Sequence, residues 1–315
     1  MELSIVIPLL NEAESLTELF DWINRSVADD FDGYEVIFID DGSTDGSWKI
    51  IEELAQKHQQ LRGIRFERNF GKSQALHAGF KAARGSLVAT LDADLQDSPE
   101  ELVPMKALLQ ANQLDLVSGW KKKRYDAVLT KNIPSKVYNW AARKISKIEL
   151  HDFNCGIKLY RKEVVKSVEV YGELHRYIPV LAAHKGFEKI GEHIVQHQAR
   201  KYGSTKFGND RFVKGFLDLL TLWFLNSFGK RPMHFFGALG LIVFLAAFVF
   251  MGYLGIDKLF IHKSSRLITE RPEFFIGLTS MILGAQLFIA GFIGELILMG
   301  QQPNRYTIQQ TTLDR

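Results

Sequence analysis

Two kinds of apolar pattern occupy the first 160 residues. Short apolar runs lie at residues 4–8 (SIVIP), 35–39 (EVIFI), 64–66, 87–91 (LVATL) and 114–117, and helix-length segments at 48–58, 73–83 and 100–111 separate them. Near-continuous apolar strands alternating with helices predict an α/β domain, a mostly parallel sheet covered on both faces. Ligands on such sheets gather at the carboxyl ends of the strands. Asn11 followed by Glu14 predicts a helix start just after the first strand.

Beyond residue 200 the pattern changes. Residues 212–228 (FVKGFLDLLTLWFLNSF) are apolar but interrupted by Lys214 and Asp218, the mark of an amphipathic helix lying at a membrane interface, with a face that a second copy of the chain can use. Residues 235–255 and 274–294 are then free of charge. Each such run of about 20 residues spans about 30 Å as a helix, enough to cross a bilayer. A pair of buried core helices is the alternative, disfavoured by the length of both charge-free runs. The expected division is a catalytic-type domain at 1–208, an interfacial helix at 209–231 and a membrane domain at 232–315, with transmembrane helices at about 235–255 and 274–299. Met1-Glu2-Leu3-Ser4 lacks a basic stretch, so no signal peptide is expected.

Charge sharpens this picture. The chain has 39 Lys+Arg against 36 Asp+Glu, a bland +3, but the signs are segregated. Residues 1–118 carry 10 basic and 21 acidic side chains, whereas residues 119–147 carry 9 basic and 1 acidic. An acidic block followed by a basic one suggests a cation site beside a surface for anions. The single cysteine, Cys155, excludes a disulfide scaffold.

The acidic residues fall where the strands end. Pro8, Asn11 and Glu12 close the first apolar run, and Asp40-Asp41-Gly42-Ser43-Thr44-Asp45-Gly46 closes the second. Carboxylates there can accept hydrogen bonds from ribose hydroxyls and a base N–H, although Asp-Gly and Ser/Thr also serve ordinary turns. Asp92-Ala93-Asp94-Leu95-Gln96 follows the fourth run. Carboxylates at i and i+2 repel one another unless a cation sits between them, which suits Mg²⁺ or Mn²⁺ completed by ligand phosphates. The alternative is a helix N-terminal region before Ser98-Pro99-Glu100-Glu101. Downstream stands His151-Asp152-Phe153-Asn154-Cys155-Gly156, where a carboxylate precedes a Cys-Gly turn.

These motifs, with Arg68-Asn69-Phe70-Gly71-Lys72, occur in the order seen in glycosyltransferase family 2, and nearly the whole chain resembles its dolichyl-phosphate mannose synthase-like branch of polyprenyl-phosphate glycosyltransferases. The resemblance implies a GT-A fold and metal-dependent, inverting transfer of one sugar from a nucleotide sugar, expected to be UDP-linked, to polyprenyl phosphate. It implies nucleotide-sugar contacts from Pro8, Asn11, Glu12, Asp40, Asp41, Lys72, Asp92 and Ala93, with metal at Asp92, Asp94 and Gln96. Asp94 and Asp152 become the candidate catalytic residues. The acceptor phosphate is already ionised near pH 7, so Asp152 is expected to orient groups more than to abstract a proton. Lys121, Arg124, Lys131 and Ser135 match the acceptor-phosphate region, and Arg200 and Lys206 match a loop that reaches the pyrophosphate. A bilayer is an implied partner and nucleic acid is not, with an inner-membrane location and a cytoplasmic catalytic domain. Two alternatives have their own signatures. A processive synthase would carry QxxRW, but His197 and Lys201 flank Arg200 where Gln and Trp belong. A non-catalytic nucleotide-sugar binder would lack the acidic set. The sugar itself stays open among glucose, galactose, mannose, GlcNAc and modified arabinose.

Overall fold

The apolar runs do become strands. In a computed structural model, which describes residues 1–122, 133–172, 174–198, 201, 220–221, 223–224, 228, 231–261 and 267–301, they are β1 (Leu3–Leu9), β2 (Tyr34–Asp40), β3 (Leu61–Arg65), β4 (Leu87–Thr90) and β5 (Leu116–Trp120). Helices α1 (Ala13–Val27), α2 (Ser47–Lys57), α3 (Lys72–Ala82) and α4 (Leu102–Ala111) connect them. Two further strands, β6 (Lys158–Arg161) and β7 (Ile190–Ile194), complete a sheet of order β3-β2-β1-β4-β6-β5-β7. Only β6 runs antiparallel to its neighbours. Helices α5 (Ile133–Ser146), α6 (Lys162–Ser167) and α7 (Ile178–His184) follow β5, β6 and a short 3₁₀ turn respectively.

Alternate residues of one strand feed two cores. Ile5 and Ile7 of β1 pack with Leu16, Leu19, Phe20 and Ile23 of α1, while Val6 packs with Leu76 and Phe80 of α3 on the other face. Fully burying a side chain such as Phe20 or Phe80 stabilises the fold by about 1.5–3 kcal/mol. The expectation of a sheet covered on both faces therefore holds. The third strand sits a few residues earlier than residues 64–66, because β3 is an edge strand with only Leu61 buried and presents no continuous apolar run.

The expected start of α1 needs correction. Asn11 has φ 53° and Glu12 occupies the N-cap position, so Asn11 does not cap the helix. The Asn11 side-chain oxygen instead accepts the Thr44 N–H at 2.8 Å. The first amides near α1 are met from the segment that runs from β2 into α2: Ser47 Oγ, at the start of α2, accepts from Glu12 N–H and Asp45 Oδ2 from Ala13 N–H. Helix α4 likewise begins after a 3₁₀ turn at Pro99–Glu101.

The chain divides into two compact units, Met1–Leu222 and Trp223–Arg315. The second contains α8 (Pro232–Ile256) and α9 (Pro272–Gln301). The segments Pro232–Phe260 and Pro272–Ile297 are long and apolar enough to cross a membrane, and only 17% of each apolar window is enclosed, unlike the core helix of a soluble domain. Both helices start at a proline ahead of the charge-free run, a residue suited to the first helical turn. Glycine lets the two backbones approach: a Cβ on Gly240 would lie 2.6 Å from the Gly284 carbonyl oxygen, and one on Gly284 would lie 2.6 Å from the Phe244 nitrogen. Most of the expected interfacial helix at 212–228 lies outside the described residues.

Candidate active site

The carboxyl ends of β1, β2 and β4 carry the acidic motifs. After β2, the Asp40 side chain is fully enclosed; its Oδ1 accepts the Ser43 N–H at 2.8 Å, and its Oδ2 lies 3.6 Å from Arg65 Nε. Asp41 reaches across to the neighbouring loop, where its two oxygens accept the N–H groups of Phe70 at 2.7 Å and Gly71 at 2.9 Å. Burial pushes the Asp41 carboxyl up from its ordinary range, with Asp40 adding to the effect, and the two amides oppose it. Gly42, at φ 75°, is the hinge of this arrangement, since a Cβ there would sit 2.5 Å from the Arg68 carbonyl carbon. The bonds seen at Asp40 and Asp41 are thus those of turn chemistry, and they tie the DDGSTDGS and RNFGK segments into one wall. Pro8 lies within β1 opposite Ile39 of β2.

The loop after β4 holds the second cluster. Asp92 pairs with Lys72 Nζ at 2.5 Å, and Asp97 pairs with Lys121 Nζ at 2.5 Å. Burial alone would raise both carboxyls. For Asp92 the nearby Lys72 and Lys121 ammonium groups outweigh it and bring the carboxyl down to about 2. For Asp97, burial and the charges of Asp92 and Asp94 win, and its carboxyl is raised despite Lys121. Leu95 turns the chain at φ 59°, Ala93 is buried, and the Gln96 N–H meets Asp94 Oδ1 at 3.3 Å. The same loop is stitched to the segment before residue 200: the Gln198 N–H donates to the Gln96 carbonyl at 3.0 Å, and Asp97 bridges His197.

Asp152 is buried beside this loop, in a turn that runs from His151 to Gly156. Its Oδ1 accepts the Asn154 N–H at 3.0 Å. Gly156 makes the junction: a Cβ there would lie 2.6 Å from the Asp92 carboxylate and 2.8 Å from Asp97 Oδ2. The fold therefore brings Lys72, Asp92, Asp97, Lys121 and the Asp152 turn together from four separate stretches. His175 closes the floor, with Nδ1 3.1 Å from Ser73 Oγ; burial, with Lys72 adding to it, drives this imidazole well below its usual pKa.

Some expected groups take other places. Lys121, expected at the acceptor phosphate, is turned inward to Asp97 with a side chain only 12% exposed, because a buried carboxylate there demands a counter-charge. Arg124, Lys131, Arg200 and Lys206 lie outside the described residues, and Ser135 lies in α5 with its side chain outside them. Asp97, His175, Lys158 and Glu192 were not among the expected site residues. The signal for the last two was a charged residue in a short strand, at the head of KLYR and in the middle of IGEHI.

Residues 4–168 match the family model for glycosyl transferase family 2. The chain is 36% identical over 299 residues to a dodecaprenyl-phosphate galacturonate synthase from Rhizobium johnstonii, covering 94% of this chain and 88% of the relative. It is 34% identical over 302 residues to an undecaprenyl-phosphate 4-deoxy-4-formamido-L-arabinose transferase from Shewanella sediminis, covering 93% and 86%. In fold it resembles glucosyl-3-phosphoglycerate synthase from Mycobacterium tuberculosis, solved with Mn²⁺ and uridine-diphosphate-glucose, with a TM-score of 0.53 and 21% identity over 71% of this chain and 78% of that one. The sheet order, the acidic loops at its carboxyl edge and these likenesses lead to one assignment: the chain belongs to glycosyl transferase family 2 and has a GT-A fold.

Proposed function

We propose that the chain transfers one sugar from a nucleotide sugar, uridine-linked, to polyprenyl phosphate at the cytoplasmic face of the inner membrane. The observation that carries this is the packing of the Asp152 turn directly on the Asp92 loop, through Gly156, in a chain that also has two helices able to cross a membrane. The donor loop and the turn that carries the candidate acceptor-side carboxylate are thereby packed together. The relatives named for polyprenyl-phosphate galacturonate and formamido-arabinose transfer support the acceptor class.

The acidic loop suits a divalent cation. Asp92 and Asp94 present hard oxygen ligands at i and i+2, and the ammonium of Lys72, 2.5 Å from Asp92, supports the reading that this spot takes positive charge. Among the described residues no three His, Cys, Asp or Glu side chains converge as a closed metal cage. Mg²⁺ and Mn²⁺ need no such cage, because they complete their shells with water and substrate phosphates. Asp92, Asp94 and Gln96 would hold the ion. When bound it neutralises charge on the leaving nucleoside diphosphate.

The chain's own residues do the rest. The DDGSTDGS and RNFGK wall receives the nucleoside. The acceptor phosphate oxygen forms a bond to the anomeric carbon as the bond from that carbon to the diphosphate oxygen breaks, and the electron pair leaves with the diphosphate. This in-line displacement inverts the centre and needs no proton transfer, because the phosphate is already ionised. Asp152 orients the acceptor side.

The test is transfer by membranes carrying the full chain, given undecaprenyl phosphate, Mg²⁺ or Mn²⁺ and a panel of labelled UDP- and GDP-sugars. UDP-galacturonate and UDP-formamido-arabinose come first in that panel. Label should enter the organic phase with one donor, disappear with chelation, and fall at least about 100-fold in Asp94→Ala. Label in a polymer, or transfer unchanged by Asp94→Ala, overturns the reading.

A further inference from the structure

Four strands carry a polar residue at a single register. Thr90 of β4 pairs with Lys158 of β6, Lys158 pairs with Ser118 of β5, and Ser118 pairs with Glu192 of β7. Residues paired directly across strands project from the same face of a sheet, so these four form a row. The row is enclosed: Thr90, Lys158 and Ser118 are buried, and the Glu192 side chain is 12% exposed. A polar row in a sheet interior costs free energy unless each group is satisfied.

Three of the four are satisfied by the His151–Gly156 turn, while Ser118 Oγ lies 3.5 Å from the Gly119 carbonyl oxygen. Glu192 Oε1 accepts the backbone N–H of His151 at 2.7 Å and of Asp152 at 3.1 Å, while Oε2 meets His151 Nδ1 at 2.7 Å. The Lys158 ammonium donates to the carbonyls of Phe153, at 3.4 Å, and of Cys155. Thr90 Oγ1 donates to the Gly156 carbonyl at 2.8 Å. The row thus grips the turn at its first, middle and last residues. On its far side the turn abuts Asp92 and Asp97. The His151 ring also stacks on Trp120, with centroids 4.1 Å apart.

We infer that Thr90, Lys158 and Glu192 are positioning residues that fix Asp152 against the donor loop, Glu192 foremost because it alone holds the Asp152 backbone N–H. The inference rests on the reading of Asp152 as the acceptor-side group. A sheet is a rigid support, and a side chain on a turn gains its precision from what holds the turn. A displacement of about 1 Å at such a group costs about 100-fold in rate.

The experiment is a double-mutant cycle on the full-length enzyme in nanodiscs, measuring kcat, donor KM and melting temperature. Asp152→Asn, Glu192→Ala, Glu192→Gln and the double variant Glu192→Ala/Asp152→Asn are compared. Expected is a fall in kcat of at least tenfold for Glu192→Ala, with donor KM within twofold of wild type. Glu192→Gln, whose Oε1 still accepts both amides, should return kcat to within about threefold. The double variant should be no slower than Asp152→Asn, because a residue acting through Asp152 has nothing left to position. Multiplied losses in the double variant, or full kcat in Glu192→Ala, overturn the inference while leaving the Asp152 reading in place. Wild-type kcat in Asp152→Asn overturns both. Should Glu192→Ala fail to fold, Thr90→Val removes one hydroxyl donor at nearly constant volume and enters the same cycle with the same expectations.

Discussion

Gly156→Ala is the smallest change that tests the architecture of the site. The added methyl would stand 2.6 Å from the Asp92 carboxylate and 2.8 Å from Asp97 Oδ2, where ordinary contact begins at 3.4 Å. Something must therefore move by about 0.8 Å. The turn itself resists, because Thr90, Lys158 and Glu192 hold its backbone. The displacement falls on the Asp92–Asp97 loop, which carries the candidate metal ligands. Overpacking of this kind costs about 1–3 kcal/mol of stability. In a unit of this size each kcal/mol lowers the melting temperature by about 2–4 °C. The rate should suffer more, since misplacement near 1 Å costs about 100-fold. Initial rates of label transfer into lipid, taken across a series of Mg²⁺ or Mn²⁺ concentrations, measure the rate and the metal requirement, and a thermal melt measures the stability. The expected result is a large loss of rate with a raised metal requirement and a modest loss of stability. A Gly156→Ala enzyme within threefold of the wild-type rate, at an unchanged metal requirement, would refute the claim that the turn and the acidic loop form one unit.

Other substitutions probe separate parts of the chain. Glu35 of β2 is buried, bonded to Ser4 of β1 and Arg62 of β3; burial alone would raise its carboxyl, but the Ser4 hydroxyl, Arg62 and the Arg84 N–H together bring it below 4.5. A lowered carboxyl stabilises the fold fully above about pH 4.5 and loses that contribution as the pH falls through its folded value, so the melting temperature of Glu35→Gln should depend less on pH in that acid range. Glu35→Leu should cost about 3 kcal/mol, read by denaturant unfolding of the solubilised protein, because it strands Arg62 and two donors. Lys121→Met leaves the Asp97 carboxylate without its 2.5 Å partner, so a melting temperature lowered by several degrees is expected; a rise in acceptor KM at unchanged stability would place Lys121 at the phosphate instead. Gly284→Leu sets a side chain where the Phe244 backbone nitrogen lies 2.6 Å from a bare Cβ, and should force α8 and α9 apart, seen as lower yield and lower thermal stability in detergent.

Much of the fold was legible because its signals are local. Strands β1, β2 and β4 are buried on both faces and read as near-continuous apolar runs, and the two apolar helices announce themselves by length. Strand β3 was misplaced because it lies at the edge and buries only Leu61. Strand β6 went unread for a different reason: KLYR begins with a lysine, and its antiparallel pairing with β4 and β5 is set by tertiary contacts far away in sequence. Asn11 does not cap α1 because a helix start offers several amides, and a segment as rich in Ser and Asp as DDGSTDGS supplies acceptors from outside.

The candidate site was legible by motif but not by partnership. Asp92, Asp94 and Asp152 stand out as residue types at strand ends, yet what surrounds them comes from elsewhere. Lys72 opens α3, Lys121 follows β5, Lys158 opens β6 and Glu192 sits within β7. No spacing rule links these positions, because the crossovers between neighbouring strands contain whole helices. The common thread is electrostatic. Three carboxylates gathered in a poorly hydrated space need positive charge or hydrogen-bond donors close by, or they will protonate or push apart. A charged residue in a strand, where burial makes it costly, therefore has to answer a demand from the opposite sign nearby. Lys158 and Glu192 are two such residues in strands of four and five, and each ends on the backbone of the Asp152 turn. The apolar pattern thus reports the fold where it is regular, and the breaks in that pattern mark what the fold is built to hold.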